Sequence, residues 1–140
     1  MELKWKKFDD LTPQELYEIL ALRQRVFVVE QNCAYLDANG TDQIAWHLST
    51  RVDGKLVAYL RVLPAGAAFE EPSIGRVVTA PEARGKGFGK IIMVEGIKKI
   101  RQEFGNSPIR IGAQSYLEKF YTDLGFENIG KPFMEDGIPH

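Results

Sequence analysis

The sequence predicts a three-layer α/β fold in which helices cover both faces of a mixed sheet. Three observations support this prediction. Segments with strand and helix patterns alternate along the 140 residues, the tight-turn dipeptide Asp53-Gly54 joins an early pair of strands, and a glycine-rich turn separates a later strand from a helix. No repeat, low-complexity tract or linker interrupts the chain, so we expect a single domain over residues 1–140.

The composition is that of an ordinary globular protein, with 44% hydrophobic and 26% charged residues and a net charge of −1. A charge so close to zero predicts no broad basic surface for nucleic acid. The lone cysteine, Cys33, excludes an internal disulfide bond and suits a reducing compartment. The charged start is too polar for a signal peptide, and no apolar run approaches transmembrane length. We therefore expect a soluble, cytoplasmic protein without membrane or nucleic-acid partners.

The N-terminal segment is predicted to form an edge strand followed by a helix. Leu3 to Phe8 alternates loosely between apolar and polar residues, as a strand does. Thr12 begins the helix, because Pro13 suits the first helical position and Glu15 completes a capping box. Apolar residues then recur at helical spacing and are predicted to face the core, at Leu16, Ile19, Leu20, Val26 and Phe27.

Four polar residues of this helix and its end allow two interpretations each. Arg23 and Arg25 lie within or beside the apolar stripe, so each needs an explanation other than core packing or is solvated. Glu30 and Gln31 directly follow an apolar run, so they either project into a pocket or begin an exposed loop. The sequence does not distinguish these alternatives.

Ala45 to Val52 and Lys55 to Leu63 are predicted to form a hairpin around Asp53-Gly54. His47 lies in the first of these strands, where a histidine is more often structural than catalytic. The second histidine, His140, is far along the chain, and the spacing of a zinc site is absent. We therefore expect no metal.

A buried strand, a glycine-rich turn and a helix follow one another in the middle of the chain. Ile74 to Thr79 is β-branched and apolar, and Pro81 ends this strand because proline cannot donate to a ladder. The turn is Arg84 to Lys90, and Ile91 to Phe104 carries apolar residues at helical spacing. This order places a helix N-terminus at the turn, where unpaired N–H groups and the helix dipole favour an anion.

The residues of the turn favour a phosphate or diphosphate. Alternate positions from Gly85 to Gly89 lack a Cβ atom, so backbone N–H groups can crowd around a ligand oxygen. Basic side chains lie at Arg84, Lys86 and Lys90. The alternative is a flexible glycine loop with solvated lysines. The turn matches neither of two common nucleotide-binding motifs. A Walker A loop has Ser or Thr after its lysine, whereas Ile91 follows Lys90 here, and the three glycines are each two positions apart, unlike the Rossmann G-x-G-x-x-G spacing.

The last third is predicted to contain a fifth strand of the main sheet, a helix, a further strand and a turn. A capping box starts this helix, and Gly125 stops it. The segments are Ile109 to Ala113, Ser115 to Leu124, Phe126 to Phe133, and Glu135 to Gly137.

Two motifs resemble those of the GNAT acetyltransferase superfamily. Arg84-x-x-Gly87-x-Gly89 matches its Gln/Arg-x-x-Gly-x-Gly/Ala signature, and Phe120-Tyr121-x-x-x-Gly125-Phe126 matches its last helix and following strand. The resemblance is closest over residues 46–130. Residues 23–31 and 135–140 look like the ElaA-type branch, whose members continue past the Ile-Pro-His motif. We therefore expect the last strand to be incomplete here.

The resemblance implies the acyl-CoA N-acyltransferase fold and acetyl-CoA as co-substrate. In that family the fourth and fifth strands splay apart, and the fourth pairs with the pantetheine amides. Gln114 occupies the position of an asparagine that contacts the pantetheine arm in many members. The implied cofactor contacts are Val77, Val78, Thr79, Arg84, Gly85, Lys86, Gly87, Phe88, Gly89, Lys90, Gln114 and Phe120.

The implied reaction is acetyl transfer to a primary amine of a small molecule or peptide. Tyr121 is the candidate general acid, because a phenol with a pKa near 10 stays protonated at neutral pH. Glu30 is the candidate general base, unless ordered water serves, and Gln31 and His47 are candidate acceptor contacts. A homodimer is left open, since the sequence carries no signal of oligomeric state. The alternatives are a non-catalytic acyl-CoA binding module and, less well supported, a nucleotide-binding protein.

Overall fold

The computed structural model describes residues 1–30, 40–67, 70–105, 109–111, 134–135 and 138–139. Their strands are β1 (Glu2–Lys7), β2 (Trp46–Val52), β3 (Lys55–Leu63), β4 (Ser73–Thr79), β5 (Arg110–Ile111), β6 (Met134–Glu135) and β7 (Ile138–Pro139). Their helices are α1 (Pro13–Arg23) and α2 (Phe88–Phe104), and a π-helical segment, Gln24–Glu30, continues α1. Short 3₁₀ turns cover Phe8–Asp10, Asp42–Ile44 and Pro81–Ala83.

The described strands form a mixed sheet in the order β1-β2-β3-β4-β5. All neighbours are antiparallel except β4 and β5, which run parallel. β6 and β7 form a separate antiparallel pair. Within the described ranges, no helix is long and apolar enough to cross a bilayer.

Among the described residues, a helical element covers each face of the sheet, so the predicted three-layer arrangement is confirmed. Alternate residues of β3 point to opposite faces. On one face Tyr59 packs with Val57 and Val78 against the α1 side, where the partners are Ile19, Leu22 and Val26. On the other face the core residues are Leu48, Ala58, Leu60, Val62, Ile74, Ile92, Met93 and Ile100.

A glycine in the middle of α2 lets this helix approach β4 closely. A Cβ atom added at Gly96 would lie 3.1 Å from Cδ1 of Ile74, tighter than ordinary contact. Glycine weakens a helix interior by roughly 1 kcal/mol. The close approach of α2 to the sheet explains why glycine nevertheless occurs at this position. The N-terminal end of α2 is thereby set next to the end of β4.

The local predictions for the first half of the chain are confirmed. Thr12 and Glu15 form the reciprocal capping box, with Glu15 N donating to Thr12 Oγ1 at 3.1 Å and Thr12 N donating to Glu15 Oε1 at 2.8 Å. The hairpin turn has positive φ at Asp53 (52°) and Gly54 (78°), as its type requires. β1 is the edge strand.

Two boundaries differ from prediction, and the last third is largely outside the described residues. α2 begins at Phe88 rather than Ile91, because the left-handed Gly87 ends the turn (φ 82°). Glu135, predicted as the first turn residue, lies in β6 and pairs with Ile138, and the other two positions of the predicted turn lie outside the described residues. The predicted helix from Ser115 to Leu124 and strand from Phe126 to Phe133 lie outside the described residues.

A buried ionic cluster joins α1 to the sheet. Oδ1 of Asp42 lies 2.8 Å from Nη1 of Arg23 and 2.9 Å from Nη1 of Arg61. The three residues are 6%, 0% and 4% exposed, so the shared carboxylate is shielded from water. Arg23 is therefore not solvated, and its buried acidic partner supplies the explanation that the sequence left open.

His47 extends this cluster. Its Nε2 lies 2.8 Å from the Asp42 carbonyl oxygen, and its Nδ1 lies 2.6 Å from the Tyr59 hydroxyl. A carbonyl only accepts, so Nε2 carries the proton of the neutral ring and Nδ1 accepts from Tyr59. Burial is the main cause that lowers the pKa of His47, and the charges of Arg23 and Arg61 lower it further. The hydrogen bond and the charge of Asp42 act in the opposite direction but do not reverse the result. The ring is therefore held neutral.

Burial favours the neutral form of Asp42 as well, but its partners reverse the result. Desolvation acts to raise the pKa of Asp42, whereas the charges and hydrogen bonds of Arg23 and Arg61 lower it below the ordinary value. Asp42 therefore stays ionised, and its charge depends on both guanidinium groups.

We expect Asp42→Asn to destabilise the fold by about 3 kcal/mol or more, because it removes the charge that two buried guanidinium groups share. Urea unfolding near neutral pH measures this. The control is Glu82→Gln, which removes a carboxylate paired with Arg25 at the exposed surface and should leave the urea midpoint nearly unchanged. Equal midpoints for the two variants would contradict the assignment.

Stability is expected to fall as the pH drops below the ordinary histidine pKa of about 6.5. The folded pKa of His47 is lower, so between the two values the unfolded chain binds more protons and acid favours unfolding. The lowered pKa of Asp42 extends the loss to more acidic pH. Urea midpoints measured across this range test the prediction. In His47→Gln, the decrease of the midpoint just below the ordinary histidine pKa should be smaller. A midpoint that rises on acidification would overturn it.

Candidate functional site

The turn between β4 and α2 has the backbone geometry of an anion site. After the 3₁₀ turn Pro81–Ala83, Gly85 and Gly87 adopt left-handed conformations with φ of 80° and 82°. The first helical hydrogen bond of α2 runs from Ile91 N to Gly87 O at 3.2 Å. The preceding N–H groups at the helix start therefore have no acceptor within the helix, and they lie at the positive end of its dipole.

Space around this turn is open to a ligand. A Cβ atom at Gly85 or Gly87 would meet nothing within 4 Å. These glycines are thus explained by their left-handed backbone rather than by crowding from the protein, which refines the expectation from the sequence. Three exposed basic side chains surround the turn, at Arg84, Lys86 and Lys90. The arrangement suits a phosphate or diphosphate.

Phe88 anchors the start of α2. It is half-buried and packs against the clusters on both faces of the sheet. The first turn of the helix is thereby fixed relative to β4. A direct contact of Phe88 with the cofactor remains a prediction.

A β-bulge interrupts the pairing of β4 with β3. Tyr59 pairs with Val78 and Arg61 pairs with Gly75, so Leu60 faces two residues of β4, Arg76 and Val77. Arg76 has a φ of 51°, an uncommon value for a residue with a side chain. A bulge bends the strand and re-aims its backbone.

The other edge of β4 pairs with β5. The pairs within the described residues are Ser73 with Arg110 and Ile74 with Ile111. Val77, Val78 and Thr79 lie further along β4, and their pairing with pantetheine stays a prediction.

Two salt bridges join the π-helical segment to the turn. Arg25 forms a bidentate pair with Glu82, at 3.2 Å and 2.7 Å. Nη2 of Arg84 lies 2.6 Å from Oε1 of Glu30. The hydrogen bond with Arg25 lowers the pKa of Glu82, and the bond with Glu82 raises the pKa of Arg25.

Glu30, the candidate base, is exposed at the end of the π-helical segment. Of the two interpretations left open by the sequence, the exposed one matches this placement. The carboxylate is nevertheless paired, because it forms a salt bridge with Arg84 of the glycine-rich turn. π-Helical segments are rare and often occur at functional sites.

His47, a candidate acceptor contact, is 1% exposed and has both ring nitrogens engaged within the protein. These contacts favour the structural role. Among the residues that the model describes, no three potential metal ligands come together. The remaining candidates, Gln31, Gln114, Phe120 and Tyr121, lie outside the described residues.

Three features were not predicted from the sequence: the buried cluster around Asp42, the bulge in β4 and the salt bridge of Glu82. One signal was present, because Arg61 interrupts an otherwise apolar strand and a buried cation needs an acidic partner. The bulge had no clear signal in the sequence. Glu82 follows Pro81 in a turn, where an acidic residue is ordinarily solvated.

Comparison with known proteins gives the family. The sequence model of the acetyltransferase (GNAT) domain matches residues 8–140. A UPF0039 protein of Synechocystis is 44% identical over 137 residues, spanning 97% of this chain and 89% of its own. Protein ElaA of Escherichia coli is 35% identical over 142 residues, spanning 99% of this chain and 93% of its own.

Solved structures agree with this result. An acyl-CoA N-acyltransferase from Pseudomonas aeruginosa matches with a TM-score of 0.92 at 38% identity, over 99% of this chain and 95% of that one. The crystal structure of Escherichia coli ElaA matches with a TM-score of 0.91 at 34% identity and the same coverage of 99% and 95%. A predicted acetyltransferase from Clostridium acetobutylicum, solved with acetyl-CoA, shares the fold alone (TM-score 0.64, 12% identity, 96% and 95% coverage). The chain therefore belongs to the GNAT acetyltransferase family, in its ElaA-like branch, and has the acyl-CoA N-acyltransferase fold.

Proposed function

We propose that the protein is an N-acetyltransferase that moves the acetyl group of acetyl-CoA to a primary amine of a small molecule or peptide. The observation that carries the proposal is the run of backbone from the bulged strand β4 through the left-handed turn to the start of α2, with three basic side chains around it. The proposal includes a single GNAT domain over residues 1–140 and, given the lone Cys33, a reducing, cytoplasmic location.

The two parts of this run suit two parts of acetyl-CoA. The left-handed turn and the N–H groups at the start of α2 suit the diphosphate, with Arg84, Lys86 and Lys90 supplying charge. The bulged stretch of β4 suits the pantetheine amides, which supply donors and acceptors like a neighbouring strand. Gln114 and Phe120 are further proposed contacts along this arm.

The chemistry assigns a role to each remaining group. The acceptor nitrogen attacks the thioester carbonyl carbon, and the negative charge moves to the carbonyl oxygen. A backbone N–H group of β4 next to the bulge would donate to that oxygen. The carbon–sulfur bond then breaks, and the phenol of Tyr121 gives its proton to the departing sulfur.

The amine loses a proton during this reaction, and Glu30 or an ordered water would take it. Glu30 lies on the same side of the sheet as α1, close to Arg84, so it is near the cofactor turn. Gln31 follows it directly and is proposed to contact the acceptor. His47 is proposed to act only indirectly, because its contacts hold the buried cluster together.

We expect acetyl-CoA to raise the melting temperature of the protein, and Gly87→Trp to abolish the increase, because the side chain would fill the turn. The measurement is thermal unfolding with and without acetyl-CoA. Gly66→Trp is the control, since Gly66 also has a positive φ (86°) and open space around it but lies in another loop. No increase with the unmodified protein would contradict cofactor binding.

Replacing Tyr121 by Phe is expected to lower turnover by ~10²-fold, the low end of what general acid catalysis contributes. The assay follows thiol release from acetyl-CoA with an amine found in a library screen. Tyr17→Phe is the matched control, because Tyr17 is 72% exposed on α1 and should not affect the rate. An unchanged rate for Tyr121→Phe would remove this residue from the mechanism. Binding without turnover for every amine would favour an acyl-CoA binding module instead.

A further inference from the structure

The salt bridge between Glu30 and Arg84 places an acidic side chain on the proposed diphosphate site. The two charged groups are 2.6 Å apart, and their side chains are 40% and 47% exposed. Arg84 directly precedes the left-handed turn at Gly85, so the guanidinium that Glu30 holds lies beside the proposed diphosphate site. We propose that Glu30 is an internal competitor of the diphosphate for Arg84. This inference rests on the proposed function.

Carboxylates and phosphates are alternative ligands for a guanidinium group, because both present paired oxygens to its N–H donors. The diphosphate of an acyl-CoA carries more negative charge than one carboxylate, and it also receives the N–H groups at the start of α2. An exposed salt bridge is weak, so its loss costs little. Cofactor entry therefore transfers Arg84 from Glu30 to the diphosphate and releases the carboxylate.

The π-helical segment stays in place during this exchange, because its own apolar residues pack in the core. Val26 is 5% exposed, and Phe27 packs against the same cluster. Release of Glu30 from Arg84 therefore leaves the segment docked, with the carboxylate available to the acceptor amine.

Calorimetric titration with free coenzyme A tests the competition. Four proteins form the main set: the unmodified chain, Glu30→Gln, Arg84→Gln and the double variant. Glu30→Gln should lower the Kd by about two- to five-fold, the range expected for loss of an exposed salt bridge. In the Arg84→Gln background the same change should leave the Kd unaltered, because the contested guanidinium is gone.

Glu82→Gln is the matched control, because it removes a carboxylate from the same pair of segments without freeing Arg84. Its Kd should equal that of the unmodified protein, which separates competition from general charge repulsion. Far-ultraviolet circular dichroism and melting curves establish that each variant is folded.

A Kd that is unchanged or raised in Glu30→Gln would overturn the inference, and so would an equal decrease in the Arg84→Gln background or in Glu82→Gln. These results leave the proposed function intact, since the unmodified protein still binds coenzyme A. Failure of the unmodified protein to bind coenzyme A would overturn both.

Discussion

Main-chain hydrogen-bonding groups need partners, and this requirement governs the site between β4 and α2. The bulge at Arg76 shifts the register between β4 and β3. The left-handed Gly87 then starts α2 with N–H groups that have no acceptor in the helix. In our proposal acetyl-CoA supplies partners to both stretches, with its pantetheine amides along β4 and its diphosphate at the start of α2.

The rest of the fold fixes the position of the start of α2 relative to β4. The core between the sheet and α2 sets the distance of the helix from β4, and Gly96 permits a close approach. Phe88 packs against the clusters on both faces and fixes the start of the helix. On the opposite face, the charge of Asp42 ties α1 to β3 through two guanidinium groups. α1 continues into the π-helical segment, whose salt bridges reach Glu82 and Arg84 at the glycine-rich turn.

Local signals predicted the fold well where one short stretch decides the structure. The capping box at Thr12, the hairpin at Asp53-Gly54 and the strand–turn–helix order around Gly87 each depend on neighbouring residues, and the structure has all three. The start of α2 was placed too late, because glycine at 89 suggested a longer turn. Glycine is tolerated there, in a first helical turn that Phe88 holds by packing.

Features that depend on distant residues could not be predicted. Asp42 lies in a polar stretch, and only the fold brings its carboxylate to arginines 19 positions away in either direction. The exposed bridges from Arg25 and Glu30 to the turn span 57 and 54 positions. The bulge at Arg76 arises from the mismatch between two paired strands, which neither strand shows alone. The role of Tyr121 rests on the family motif, because it lies outside the described residues.

A crystal structure of the protein with acetyl-CoA is the most direct test of the central claim. The account predicts the diphosphate against the N–H groups that follow Gly87, the pantetheine arm along Val77 to Thr79, and the sulfur within hydrogen-bonding reach of the Tyr121 hydroxyl. A cofactor bound elsewhere, or one whose sulfur lies far from that phenol, would contradict it.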